Sequence, residues 1–161
     1  MYEQDNHFPH ACMCVHKIFI PNISMKKLII DSKELAVGNW VMTDGEIAKI
    51  TSLYKRNGEL CTEGRLYDDS SDICTDEILI YPSGLEPIPV TVLLLEKNGW
   101  VKDKSDANVF VHPQLDSDNK IVIKDNVPVF HNVKVPYVHQ LQNVLHDHNE
   151  DISIHMQIFK I

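Results

Sequence analysis

Residues 39–58 read NWVMTDGEIAKITSLYKRNG and contain two tight-turn signals. Asp44-Gly45 and Asn57-Gly58 each place a residue that tolerates positive φ before a glycine, which is the strongest short-range sign of a β-hairpin. Residues rich in β-branched and aromatic side chains lie between these turns. The stretch therefore predicts strands over residues 39–43 and 46–54, joined at Asp44-Gly45.

Further short strands are predicted near Leu60, near Ile73 and over residues 78–81. Pro87 and Pro89 follow in GLEPIPV, and proline cannot donate a hydrogen bond within a central strand. Several short strands in close succession predict a small SH3-like β-barrel over residues 25–90.

The pattern changes after Pro89. Thr91 can cap a short helix that runs through Leu95, and Gly99 can end it. Strands are predicted over residues 108–112, 121–124 and 127–135. Pro136 is expected in the first turn of a last helix, and residues 151–160 alternate like a closing strand. Residues 91–161 are therefore predicted to form an α-β-β-β-α-β subdomain, which makes the fold class α+β.

The first 24 residues have no sustained period and precede a second methionine, Met25. We interpret residues 1–24 as an N-terminal extension. Their acids and histidines stand where a secretory signal would carry basic and then apolar residues. The four cysteines Cys12, Cys14, Cys61 and Cys74 need not form a disulfide framework in a chain of 161 residues, and reduced thiols in a cytoplasm are the simpler interpretation.

Composition excludes several classes of protein. With 43% hydrophobic and 24% charged residues, the chain is close to the average for globular proteins. Its longest nearly apolar run, residues 90–95, is far shorter than the roughly 20 residues of a spanning helix. A formal net charge of -8 opposes direct nucleic-acid binding, because lysine and arginine supply non-specific affinity for phosphates.

The negative charge is concentrated in residues 59–77, where seven acids accompany Arg65 alone. Such a run is often a solvated loop, but it is also a candidate binding surface for a basic partner. We define the acidic block as its five most closely spaced members, which we predict to bind a partner: Asp68, Asp69, Asp72, Asp76 and Glu77.

Three histidines within residues 136–149, PYVHQLQNVLHDHN, raise the question of a metal or catalytic helix. At 100° per residue, Val138, Leu141, Val144 and Leu145 share one face, so the helix is expected to pack on a sheet. His139 and His146 lie about 10.5 Å apart along such a helix, which is too far for one metal ion. We predict that these histidines are solvated and that the helix has a packing role.

A second dense group of possible ligands is HFPHACMCVH, which contains His10, Cys12, Cys14 and His16. Imidazole and thiolate are the ligands that zinc prefers. Cys-x-Cys lacks the usual gap of two to four residues, however, and no second ligand pair follows. We therefore predict no metal site and no cofactor, with these four residues as the weak alternative.

Signatures of catalysis are absent from the sequence. The glycines are scattered, so they do not form a phosphate-binding loop. No serine lies in a nucleophile elbow, and no cysteine has a recognisable protease context. We predict that the protein is not an enzyme.

Three strings carry a family resemblance: ELAVGNWVMTDGEIAKITSL, GLEPIPVTVLLLEKNGW and YVHQLQNVLHDHNEDISI. They resemble small uncharacterised proteins of bacteriophages and mobile elements of gut-type bacteria, which combine GN-V…GEI-KI with LEPIPLT and YVHQLQNL. The resemblance covers residues 35–154 and departs from the pattern in the N-terminal extension and in HDHNED. It implies a genetic context and no catalytic residues.

The function that we predict is a non-enzymatic protein of a phage or mobile element that binds a host macromolecule in the cytoplasm. The expected partner is a host protein, for example a nucleic-acid-processing complex. The protein would then inhibit a host defence nuclease such as a CRISPR effector, as anti-CRISPR proteins do. A nucleic-acid-binding accessory domain and a Cys/His metal-binding protein are the alternatives.

Overall fold

The computed structural model describes residues 28–67, 77–148, 153, 154 and 156. Within these residues the chain forms two five-stranded antiparallel sheets and two α-helices. The predicted α+β class is confirmed. The N-terminal extension and the strand predicted near Ile73 lie outside the described residues.

The first sheet contains a continuous meander whose last strand returns to the first. Its order is β4-β3-β2-β1-β5. The strands are β1 Trp40–Thr43, β2 Glu46–Arg56, β3 Glu59–Leu66, β4 Glu77–Ile80 and β5 Leu85–Glu86. A short 3-10 turn, Pro82–Gly84, connects β4 to β5.

Both predicted hairpin turns are confirmed by their backbone angles. Asp44 and Gly45 have φ of 50° and 85°, and Asn57 and Gly58 have φ of 53° and 84°. Because two positive φ values in succession match the right-handed twist of the flanking strands, each turn fixes the register of its hairpin. Strand β2 continues to Arg56, two residues past its predicted end, since Arg56 pairs with Glu59 across the second turn.

The two faces of this sheet contribute to two cores, because successive side chains of a strand point to opposite faces. One face buries a smaller cluster that includes Val41, Ala48 and Ile50. On the opposite face Trp40 is buried in a larger cluster together with side chains from the second half of the chain. The predicted boundary at residue 90 stays a prediction, and Trp40 packs across it.

The second sheet has the order β10-β9-β8-β7-β6. Its strands are β6 Val101–Lys102, β7 Val109–Val111, β8 Lys120–Lys124, β9 Val127–Phe130 and β10 Val133–Lys134. The prediction of one strand over residues 127–135 is wrong, because His131 and Asn132 have φ of 46° and 64° and turn the chain back on itself. Histidine and asparagine are among the residues that adopt this backbone conformation more readily.

Helix α1, Val92–Lys97, begins after Thr91 as predicted and continues two residues past Leu95, ending before Gly99. The Thr91 hydroxyl accepts a hydrogen bond from the Leu94 N–H at 3.1 Å, and Gly99 has φ of 83° just after the helix. Helix α2 spans Val138–Asp147. Pro136 does not lie in its first turn, because Tyr137 is the N-cap and the Pro136 carbonyl instead accepts a hydrogen bond from the Val90 N–H at 2.8 Å.

Helix α2 packs on the larger core as its sequence predicts. Val138, Leu141 and Leu145 are at most 1% exposed and Val144 packs against the same cluster. The closing strand predicted over residues 151–160 lies mostly outside the described residues. Ile154 and Met156, which are described, are buried in this core without forming a strand.

Candidate functional site

The predicted acidic block lies at the connection between β3 and β4. Asp68, Asp69, Asp72 and Asp76 are outside the described residues, whereas Glu77 is the first residue of β4 and its backbone pairs with Arg65. The chain leaves the sheet after Tyr67, whose N–H donates to the Ile47 carbonyl at 2.8 Å. Both ends of the connection are therefore fixed by backbone pairing.

Two further acids lie at the same end of the sheet. Strands β2 and β3 are antiparallel, with Ala48 opposite Leu66, so the end of β3 lies beside the start of β2. Asp44 and Glu46, both exposed, are at that start. We call Asp44, Glu46 and Glu77 the acidic end of the first sheet; in the sequence, four more acids lie in the connection 68–76 that leads to Glu77. The sequence contained this information in the Asp-Gly turn and the hairpin register, but the prediction missed Asp44 and Glu46.

The other end of β2 carries cations. Lys55 and Arg56 are exposed at the Asn57-Gly58 turn, with Glu59 opposite Arg56. Lys49 and Arg65 also pair beside Glu77, so the two ends differ by an excess of acids at one end and not by a lack of cations there. Screening over a Debye length of about 8 Å at physiological salt preserves the difference, because the strands between the two ends are longer than that distance.

Helix α2 contacts the first half of the chain through a second, polar face. The Gln142 side chain accepts a hydrogen bond from the Trp40 N–H at 2.8 Å and donates one to the Gly38 carbonyl at 3.0 Å. Asn143 accepts from the Asn39 amide at 2.8 Å. Side-chain amides of the helix therefore bond the backbone of Gly38 and Trp40 and the side chain of Asn39.

Glu34 continues this row of contacts. Its backbone carbonyl accepts a hydrogen bond from Asn143 at 2.7 Å, and its carboxylate accepts one from Gln140 at 2.7 Å. We call the whole contact the polar seam. Its members are His139, Gln140, Gln142 and Asn143 of α2 with Glu34, Gly38, Asn39 and Trp40 of the segment before and at the start of β1.

His139 is a buried member of the polar seam, so the prediction that it is solvated is wrong. Its side chain is 1% exposed, and its Nε2 lies 3.2 Å from the Glu34 carboxylate. Burial lowers the pKa of His139 below the ordinary value, and the nearby Glu34 opposes this effect in part. The error arises from tertiary structure, because the segment that covers His139 comes from the other half of the chain.

The other two histidines of this region match their prediction better. His146 is 92% exposed, and His148 is exposed and stacks on His131 with ring centroids 4.2 Å apart. Among the described residues no group of three histidines, cysteines or acids is placed to hold a metal ion. The weak ligand candidates His10, Cys12, Cys14 and His16 lie outside the described residues.

A cleft of about 620 Å³ adjoins the polar seam between residues 33–40 and the end of α2. Its walls include Lys33, Lys49 and the exposed His146, and the Lys49 ammonium lies 5.5 Å from the centre of the Trp40 ring. The amides of Gln142 and Asn143 that reach this cleft are already bonded to the protein. The amides that line the cleft therefore serve to hold the fold together, and the cleft does not have the character of an active site.

The polar seam leads to a stability prediction. Replacing Gln142 with alanine is expected to lower the free energy of unfolding by about 1–3 kcal/mol, because the Trp40 N–H and the Gly38 carbonyl lose their partner. His146→Ala, on the same helix but 92% exposed, is the control and should change the value by less than about 0.5 kcal/mol. Urea unfolding followed by circular dichroism measures both. Equal effects of the two variants would contradict a structural role for the seam.

Comparison with protein-family models, with curated proteins and with solved structures finds no match to this chain. In the part of the chain that the structure describes, no helix has the length and apolar character needed to cross a membrane.

Proposed function

We propose that this protein is a non-enzymatic protein of a phage or mobile element and that it binds a host protein through the acidic end of the first sheet. The observation that carries the proposal is that Asp44, Glu46 and Glu77, the last residue of the acidic block, lie at one end of a paired sheet. A partner with a basic surface gains attraction and orientation from such a concentration of charge.

The class of partner follows from this charge. Proteins that process nucleic acids present lysine and arginine to the phosphate backbone, so an acidic surface can occupy the same groove. A net charge of -8 and the resemblance to phage and mobile-element proteins support a host defence nuclease, of the kind that anti-CRISPR proteins inhibit, as the partner. Such a partner acts in the cytoplasm.

We further propose that the first half of the chain is an SH3-like barrel. The proposal is supported by a five-stranded order in which β5 follows a 3-10 turn and returns to pair with β1. The fold alone does not identify a function, since barrels of this kind serve many roles. A role as a nucleic-acid-binding accessory domain is opposed by the net charge of -8, because non-specific affinity for phosphates comes from lysine and arginine.

The proposal is tested by affinity capture from host lysate. In the test variant the five members of the acidic block become their amides: Asp68→Asn, Asp69→Asn, Asp72→Asn, Asp76→Asn and Glu77→Gln. In the matched control the same charge is removed from exposed acids of the second half: Glu96→Gln, Asp116→Asn, Asp118→Asn, Asp125→Asn and Asp147→Asn.

We expect the wild type and the control to enrich the same host protein. The test variant should capture at least about tenfold less of this protein. Equal capture by all three proteins would contradict a role for the acidic block. A gel shift with DNA and RNA at low salt distinguishes the alternative, because direct nucleic-acid binding would retard the nucleic acid without any host protein.

A further inference from the structure

His139 has two ring nitrogens in very different surroundings. Nε2 lies 3.2 Å from the Glu34 carboxylate, which can only accept a hydrogen bond, so the hydrogen of the neutral ring is on Nε2. Nδ1 is buried and has no hydrogen-bond partner among the described residues. Neutral His139 therefore satisfies Glu34 and leaves an unprotonated nitrogen in a closed environment.

Proton uptake from solvent would place a charged N–H at Nδ1, where the described residues offer no acceptor. Burying such a group costs more than burying an uncharged nitrogen. The titratable groups that face His139 are Glu34 from the 3-10 turn Ser32–Glu34 and Tyr137 from its own helix end, whose ring stacks at 5.9 Å. Asp31, the N-cap of that turn, accepts a hydrogen bond from the Lys33 N–H at 3.0 Å. Glu34 favours the protonated ring, but burial is the larger effect on the pKa.

Glu34 is also where several contacts of the polar seam meet. Its carboxylate accepts from both His139 and Gln140, and its carbonyl accepts from Asn143. A histidine that leaves its pocket removes one of these contacts and admits water to the others. The adjoining cleft between α2 and residues 33–40 would then widen, since Glu34, Gln142 and Asn143 of the polar seam line it.

We propose that His139 and Glu34 form a pH-sensitive latch, which holds helix α2 against the segment before β1 when His139 is neutral and releases it when His139 takes up a proton. The latch is independent of partner binding at the acidic end. It is a conformational device of the fold.

The direction of the pH dependence follows from linkage. The closed seam binds the proton of His139 less readily than an opened seam, in which the ring has its ordinary pKa of 6.5. Above that pH the closed form is fully favoured. As the pH falls from 6.5 towards the lower pKa of the closed form, opening becomes more favourable by up to about tenfold per pH unit.

The test is hydrogen exchange of the Trp40 backbone amide, which donates to Gln142 within the polar seam. Between pH 7.5 and about 5.5 we expect its protection factor to fall severalfold in the wild type, and at most about tenfold. In His139→Gln, which keeps a donor for Glu34 but cannot titrate, the factor should change by less than about twofold. His146→Gln, on the exposed surface, should behave like the wild type.

Two measurements can overturn the proposal. The first is hydrogen exchange, if the wild-type protection factor does not fall over this range or falls equally in His139→Gln. The other needs no variant: an NMR titration of the wild-type protein in which the His139 ring titrates at or above 6.5, the ordinary value for histidine. This second measurement keeps the proposal testable if His139→Gln does not fold.

Discussion

Replacing Trp40 with alanine is expected to lower the free energy of unfolding by about 3–5 kcal/mol, the range for removing a large aromatic side chain from a core. Trp40 is 8% exposed and lies in the larger core, with its ring edge-to-face with Tyr67 at 5.8 Å. Its indole N–H also donates to the Ile154 carbonyl at 2.8 Å. Because this side chain joins the first sheet to the second half, its loss should weaken the whole structure.

Urea unfolding followed by circular dichroism measures the effect. Trp40→Phe is the control, because it keeps an aromatic ring in the core and removes the indole N–H and part of the ring volume, so its loss should be clearly smaller than that of the alanine variant. A cost below about 1 kcal/mol for the alanine variant would contradict the placement of Trp40 in the core that both halves share.

Replacing Leu141 with alanine should cost about 2–5 kcal/mol through lost burial and a residual cavity. Leu141 is fully buried at the centre of the apolar face of α2. Leu93→Ala is the matched control, since the same change is made on a helix where the side chain is 48% exposed. Thermal and urea unfolding compare the two. Equal losses would mean that the apolar face of α2 does not pack on the larger core.

Local turn chemistry made much of the fold predictable from the sequence. Asp-Gly and Asn-Gly specify tight hairpins without help from distant residues, and Thr91 with Gly99 bounds a short helix. Strands β6 and β10 were missed as separate elements because each has only two residues and shows no period. Their existence depends on pairing with β7 and β9.

The environment of His139 could not be predicted for a different reason. Helical periodicity places it away from the apolar stripe, which normally means exposure to solvent. The segment that buries it lies about a hundred positions earlier in the chain, and Glu34 is 105 residues away. The same holds for Gln142, whose partners Gly38 and Trp40 are backbone groups that have no distinctive sequence signal.

The acidic end was predicted in part. The density of acids in residues 59–77 is visible in the sequence, whereas the nearness of Asp44 and Glu46 depends on the register of β2 with β3. A charge count along the chain cannot reveal this, because the two segments are separated by the full length of a hairpin. Register is set by the turn and by the pattern of buried residues.

Calorimetric titration of the captured host protein at increasing salt tests partner binding at the acidic end most directly. Between about 0.1 M and 1 M salt the Debye length falls from about 10 Å to about 3 Å, so wild-type affinity should fall steeply. The variant without the five charges of the acidic block should bind more weakly at low salt and change little as salt rises. Affinities of the two proteins that agree at every salt concentration would contradict binding through the acidic end.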